Sequence, residues 1–82
     1  MFFLITQVHT PENCPIETPK GAHAYHEDPK KAGVKLLGMW RGGPNHKIYY
    51  LVETDDHETI EHFLKPGFKK TISKVVPVTP MV

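Results

Sequence analysis

Four short runs of aromatic and β-branched residues constrain the fold of this chain more than any other feature of its sequence. Each run has the length and composition of a β-strand, and together they cover Phe2 to His9, Val34 to Arg41, His46 to Glu53, and Lys70 to Val78. Gly42-Gly43-Pro44-Asn45 separates the second run from the third and predicts a turn. The sequence therefore predicts four strands, the middle two of which form a hairpin.

Two stretches between these strands are predicted to be helical. After Thr54 or Asp55, either of which can cap a helix, the apolar residues Ile60, Phe63 and Leu64 share one helix face. Pro66-Gly67 then ends that helix.

The stretch from Lys20 to Ala32 permits only a short helix, because Gly21 and Pro29 confine it. Thr10 to Pro19 contains three prolines and is predicted to be a loop. The order β-α-β-β-α-β indicates an α+β, ferredoxin-like fold with a four-stranded antiparallel sheet and its helices on one face. Right-handed crossovers predict the strand order 4-1-3-2.

The first strand is apolar on both of its faces, since Phe2, Leu4 and Val8 alternate with Phe3 and Ile5. Helices cover only one face of such a sheet, so a second chain is expected to cover the other. A single domain spanning residues 1–82 also buries only about 60–65% of its unfolded surface, which makes additional stabilisation valuable. The sequence therefore predicts a homodimer.

Composition excludes several classes of function. The net charge of +1 gives no general attraction to nucleic acid or to an anionic membrane. No segment approaches the roughly 20 apolar residues that cross a bilayer, and the apolar start has neither a basic leader nor a cleavage site. The single cysteine cannot form an internal disulfide. We therefore expect a cytoplasmic protein that binds neither nucleic acid nor membrane.

The run His9-Thr10-Pro11-Glu12-Asn13-Cys14-Pro15 places an imidazole and the one thiol on a loop stiffened by prolines. With the preceding strand, it resembles a family of small proteins known only as a domain of unknown function, number 3303. Further similarities are Gly38-x-Trp40, the tyrosines of the third strand, Phe63 and the closing Val76-Pro77-Val78. The chain also resembles the dimeric α+β barrel superfamily. That wider resemblance implies haem-binding enzymes, cofactor-independent monooxygenases, lactone isomerases or ligand-sensing domains, and so does not decide function.

The predicted fold brings several polar and aromatic residues to one edge of the sheet. Strands one and two run in the same direction, so their ends meet the hairpin turn and the end of the second helix there. The residues expected at that edge are His9, Cys14, Trp40, Arg41, Asn45, His46 and His62. The metal-site candidate is His9 and Cys14, with His46 or His62 as third ligand. The candidate ligand pocket comprises Trp40, Asn45, Tyr49 and His62. Imidazole and thiolate suit zinc or copper. The resemblance to the wider superfamily also implies haem on His62 as a less favoured alternative.

Other interpretations of these residues remain open. His9 could instead bond to the loop backbone while Cys14 fills a small apolar site, or His9 could activate Cys14 as a nucleophile. His23-x-x-His26 is a second possible metal site, or simply a solvated pair. The leading hypothesis is a homodimeric metal-binding protein and possible metalloenzyme. The alternatives are a cofactor-independent isomerase or monooxygenase on a small aromatic or lactone-like substrate, and a non-catalytic ligand-sensing or assembly domain.

Overall fold

A computed structural model describes residues 1–42 and 46–81 of the chain. Its four strands are β1 (Phe2–His9), β2 (Lys35–Arg41), β3 (Lys47–Glu53) and β4 (Thr71–Val78). All neighbouring strands are antiparallel, and their order in the sheet is β2-β3-β1-β4. This order is the predicted 4-1-3-2, and each strand begins within one residue of its predicted start. The α+β, ferredoxin-like prediction is confirmed.

Alternation along the strands separates the two faces of the sheet. On the central strand β1, the side chains of Phe3, Ile5, Gln7 and His9 are buried against the helical layer. On β3, the same face carries three almost fully buried residues, Ile48, Tyr50 and Val52. β1 and β3 are the two inner strands of the sheet, with a neighbour on each side, which explains why the core concentrates on them.

The helical layer is formed by α1 (Pro29–Ala32) and α2 (His57–Leu64). Asp56 caps α2 by accepting a hydrogen bond from the Glu58 amide at 2.9 Å, one residue beyond the predicted cap candidates. The three side chains predicted to form the apolar stripe are almost fully buried: Ile60 is 1% exposed, Phe63 0% and Leu64 3%. Because α2 is short, this packing stabilises it far more than its helix propensity does.

The segment predicted as one short helix between Lys20 and Ala32 is divided into two. Gly21–Tyr25 forms a 3₁₀ turn and Pro29–Ala32 forms α1. Pro29 begins the helix, where its missing N–H costs nothing, and Asp28 caps it by accepting from the Lys30 amide at 3.0 Å. Gly33 ends α1 at a φ of 84°, a left-handed conformation that favours glycine.

The proline-containing loop from Thr10 to Pro19 has local order of its own. Two consecutive 3₁₀ turns, Pro11–Asn13 and Pro15–Glu17, each begin at a proline whose φ is already suited to the turn. Cys14 lies between the two turns in an extended conformation. Two short turns therefore hold the thiol at a defined place rather than on a long unstructured loop.

Within the part of the chain that the structure describes, no helix covers the opposite face of the sheet. Leu4 and Val8 of β1 point to this open face, as do Ile72 and Val76 of β4, and all four are exposed. In β2, the register shifts between Leu36 and Gly38, which brings Trp40 opposite Tyr49 on the same open face. The open face therefore carries apolar and aromatic side chains from all four strands. No helix within the described residues is long and apolar enough to span a membrane.

Candidate functional site

Two strand ends and one loop meet at the edge of the sheet where the candidate site was predicted from the sequence. His9 ends β1, His46 immediately precedes β3, and Cys14 lies on the loop that folds back over this edge. One ligating atom from each of the three residues lies within 4.8 Å of the other two. The rings of His9 and His46 meet edge to face with 5.3 Å between their centroids. The structure thus brings two imidazoles and the thiol into one cluster.

His9 is the most informative member of this cluster, because its side chain is only 6% exposed. Neither of its ring nitrogens has a hydrogen-bond partner among the described residues, although both are buried. Burial and, to a smaller extent, the neighbouring His46 lower the pKa of His9, which favours the neutral imidazole. A buried polar group without a partner costs about 1–3 kcal/mol, so a water molecule, an ion or a ligand group that satisfies it would stabilise the protein.

The backbone holds His46 against His9. The His9 amide donates a hydrogen bond to the His46 carbonyl at 3.0 Å, which closes the end of the β1–β3 pairing. His46 has a φ of 52°, in the left-handed region that residues other than glycine seldom adopt. Such conformations are found preferentially at functional sites, where the surrounding structure maintains them. The hairpin then continues in register, with the Gly42 amide donating to the Lys47 carbonyl at 2.8 Å.

A chain of buried hydrogen bonds connects the core to the Cys14 loop. The Tyr50 hydroxyl donates to Gln7 Oε1 at 2.7 Å, and Gln7 Nε2 donates to the Tyr25 carbonyl at 3.0 Å. The Tyr25 hydroxyl in turn donates to the carbonyl of Asn13, the residue before Cys14. Burial raises the pKa of Tyr50, and burial together with Cys14 raises the pKa of Tyr25, so both phenols remain hydrogen-bond donors. This chain fixes the loop on which the thiol lies.

A cavity of about 380 Å³ opens beside the cluster. The cluster forms part of its lining, and the remaining lining residues are mainly apolar with two cationic residues among them: Pro15, Ile16, Ala22, Arg41, Lys47 and Ile48. A small-molecule site of this kind is typically mostly apolar with a few convergent polar groups. The cluster therefore has space for a small molecule next to it.

The donor set has the chemistry of a transition-metal site. Two imidazoles and a thiolate bind zinc in tetrahedral sites and copper in trigonal ones. Tetrahedral zinc bonds would place such donors about 3.3–3.6 Å apart, and the three ligating atoms of the cluster all lie within 4.8 Å of one another. Three protein ligands would leave one coordination position for water or a substrate. The cluster could hold a metal ion.

The other predicted pocket residues lie elsewhere. Trp40 and Tyr49 pair with each other on the open face of the sheet, and neither lines the cavity. Trp40 instead borders a separate cleft at the edge strand, next to Ala22 and Arg41. His62 follows the buried Ile60 by two positions on α2, so it faces outward and lines a separate surface cleft with Glu27 and Lys65. The structure therefore does not bring these three side chains to the cavity, and Asn45 lies outside the described residues.

The second histidine pair, His23 and His26, is close but differently placed. His23 Nδ1 lies 2.9 Å from His26 Nε2, and His26 Nδ1 lies 2.8 Å from the Glu27 carbonyl. Both nitrogens of His26 are thus satisfied, and its ring packs 5.1 Å from that of Phe63 and 5.7 Å from that of Tyr50. Burial lowers the pKa of His26. This arrangement has the features of a structural pair.

Sequence reasoning did not identify Gln7 and Tyr25 as part of the site. Gln7 occupies an inward position of β1 between Ile5 and His9, where a polar side chain has to find a buried partner. The inward position of Gln7 in the alternation of β1 could therefore have predicted a buried hydrogen bond. Tyr25 lies in the segment with the least regular pattern, and nothing in the sequence indicated that its hydroxyl reaches the Asn13 carbonyl.

Comparison with known proteins gives a family and no activity. No curated protein and no solved structure is similar enough to count as a match. The sequence pattern of one family, described as Domain of unknown function (DUF3303), matches residues 1–82. Since that match covers the whole chain, the protein belongs to the DUF3303 family.

Proposed function

We propose that this protein binds one zinc or copper ion through His9, Cys14 and His46, and that it functions as a homodimeric metalloprotein. The main support for the proposal is His9, whose two buried nitrogens have no hydrogen-bond partner among residues 1–42 and 46–81, and which lies beside a thiol and a second imidazole. A bound ion would satisfy one of those nitrogens directly. The neighbouring cavity would give a substrate access to the remaining coordination position.

Metal analysis of protein prepared without a histidine tag tests this proposal. After supplementation with zinc or copper salts, we expect about one ion per chain in the wild type, given the affinity of such ligand sets. Cys14→Ser and His46→Asn should lose the ion. Asparagine is the suitable replacement for His46, because it tolerates a left-handed φ better than alanine does.

His23→Gln and His26→Gln are the matched controls, since they remove imidazoles from a neighbouring pair and should retain the ion. Occupancy below about one-tenth of an ion per chain in the wild type would refute the proposal. Cobalt substitution adds a direct test of the thiolate, because a cobalt–thiolate bond absorbs by charge transfer and Cys14→Ser should remove that band. Visible charge transfer in the copper-loaded protein would identify a copper–thiolate site.

The homodimer is proposed from the open face of the sheet. Trp40 is 54% exposed and Ile72 is 79% exposed, with Leu4, Val8 and Val76 each 38% exposed nearby. Four strands of seven or eight residues cover about 450 Å² of sheet, comparable with the largest apolar patch on an ordinary monomer. Because side chains project from the sheet, the accessible area of this face is larger than its flat area. It approaches the roughly 800 Å² that each partner of a stable interface buries. A second copy offers a matching apolar face.

Sedimentation equilibrium tests the dimer. We expect the wild type to be dimeric at micromolar concentration and Leu4→Lys to shift it to a monomer, because a charge would be buried at the centre of the interface. Ile16→Lys is the matched control, since Ile16 is also exposed but lies beside the cavity. A wild type that remains monomeric would contradict the homodimer, and dimerisation without metal binding would favour an assembly role.

A cofactor-independent isomerase or monooxygenase is the second candidate, supported by the apolar cavity beside a buried imidazole whose pKa is lowered. A neutral histidine in such surroundings can act as a general base. Activity on a small aromatic or lactone-like compound that survives complete metal removal, but not His9→Gln, would establish this function in place of the metalloprotein.

A further inference from the structure

We infer that the cavity beside the His9, Cys14 and His46 cluster binds a small organic carboxylate with an apolar body, whose carboxylate group pairs with Arg41. This inference deepens the proposed function, because it assigns a substrate class to the coordination position that the three protein ligands leave open.

The charges around the cavity have one sign. Arg41 lines it, and none of the described lining residues is an aspartate or glutamate. Lys47 also borders the cavity, but it pairs with Val8 on the open face of the sheet, so its charge is not counted with that of Arg41. The protein as a whole carries a net charge of only +1, so this local excess does not reflect a generally basic surface. Arg41 ends β2 opposite Ile48, whose side chain faces the helical layer, so Arg41 lies on the face of the sheet that carries the site. Among the described residues, the ion pair found joins the N-terminus to Asp55 and does not involve Arg41.

The rest of the lining favours an apolar body on the ligand. Pro15, Ile16, Ala22 and Ile48 provide hydrocarbon surface, and Ile16 is 62% exposed where the cavity opens. The volume of about 380 Å³ is near the lower end of the range for small-molecule sites, about 300–1,000 Å³. This space suits one ring or a short acyl chain.

The cluster itself adds to the preference for an anion. A divalent ion with one thiolate and two neutral imidazoles retains a single positive charge, which an anionic ligand would neutralise. A phosphate group would require several converging N–H donors, as at a glycine-rich loop. The cavity offers one guanidinium and a largely apolar lining, which match a carboxylate instead.

Calorimetric titration of the zinc-loaded protein tests the inference. Benzoate and hexanoate serve as probes, and their neutral analogues benzamide and hexanamide measure the part of binding that is independent of charge. We expect the carboxylates to bind about tenfold more tightly than the amides. Arg41→Gln should lower carboxylate affinity about three- to fivefold, as for a partly exposed ion pair, and leave amide affinity unchanged.

Lys31→Gln is the matched control, because it removes an exposed cation on α1 outside the cavity and should change neither affinity. Equal affinity for carboxylates and amides, or an unchanged carboxylate affinity in Arg41→Gln, would overturn the inference. Metal content is measured separately and should remain one ion per chain in both variants. A wild type that binds no metal contradicts the proposed function, whereas a metal-loaded wild type without carboxylate preference contradicts only this inference.

Discussion

Two pairs of histidines lie on the helical side of this small sheet, and they differ in how their nitrogens are satisfied. His23 and His26 bond to each other, and His26 also bonds to the Glu27 carbonyl. His9 is more deeply buried, yet both of its nitrogens lack a partner among the described residues, and it faces His46 and Cys14. The first pair is hydrogen-bonded within the fold. The second pair has ligating atoms that lie close to one another and to the thiol of Cys14.

This difference separates histidines that stabilise the fold from histidines that are available to a ligand. A folded chain seldom retains a buried polar atom without a partner unless a function compensates its cost. Proximity of two imidazoles is not sufficient, because the His23–His26 pair is close and still needs no ligand. The unpartnered nitrogens, together with a thiol and an adjacent cavity, distinguish the His9 cluster.

Metal affinity should show the largest contrast between the two pairs. Cys14→Ser should weaken zinc binding by more than about 100-fold, because even the loss of an outer hydrogen bond to a ligand costs about 10–100-fold. His23→Gln and His26→Gln should leave the affinity within about twofold of the wild type. Competition with a chromophoric chelator measures all three. Equal losses in the two groups would erase the distinction.

Removal of the Tyr50 hydroxyl should destabilise the support of the Cys14 loop. Tyr50→Phe leaves Gln7 Oε1 buried without its donor, so the free energy of unfolding should fall by about 1–3 kcal/mol. Tyr49→Phe is the matched control, since Tyr49 lies on the open face and should change stability little. Urea unfolding measures both variants. A small effect of Tyr50→Phe would show that the hydrogen-bond chain does not support the loop.

Apolar replacement should have opposite effects on the two pairs in metal-free protein. His9→Leu removes two unsatisfied nitrogens and should raise the free energy of unfolding by about 1 kcal/mol. His26→Leu removes two satisfied ones and should lower the free energy of unfolding by about 1 kcal/mol. Thermal unfolding in the presence of a chelator measures both. A loss of stability in His9→Leu would indicate that His9 is structural.

The pH dependence of stability should show the smallest effect. Burial lowers the pKa of His26, whose surroundings include His23, Glu27, Asp28, Tyr50 and Phe63. The unfolded chain therefore binds a proton more readily, and the contribution of His26 is present above the ordinary histidine pKa of 6.5 and is lost as the pH falls. His26→Gln should reduce the fall in stability between neutral and mildly acidic pH. An identical pH profile in wild type and variant would contradict this assignment.

The strands and their order could be predicted from the sequence because alternation and turn residues are local signals. The division of the segment around Tyr25 into a 3₁₀ turn and a short helix could not be predicted from the sequence. Both depend on contacts with Gln7 and α2 rather than on periodicity. Likewise, His62 was expected near the site because α2 ends at that edge. The helix instead turns His62 outward, since burial of Ile60, Phe63 and Leu64 fixes its orientation.

The sequence by itself determined the order of strands and helices, the apolar character of both sheet faces and the presence of an imidazole and a thiol beside the end of β1. These features follow from local composition and spacing. Only the tertiary structure decided which histidine joins them, because His9 and His46 are separated along the chain and meet through antiparallel pairing of β1 and β3. It also decided which histidines lack partners, since hydrogen bonding is settled by packing of the whole chain.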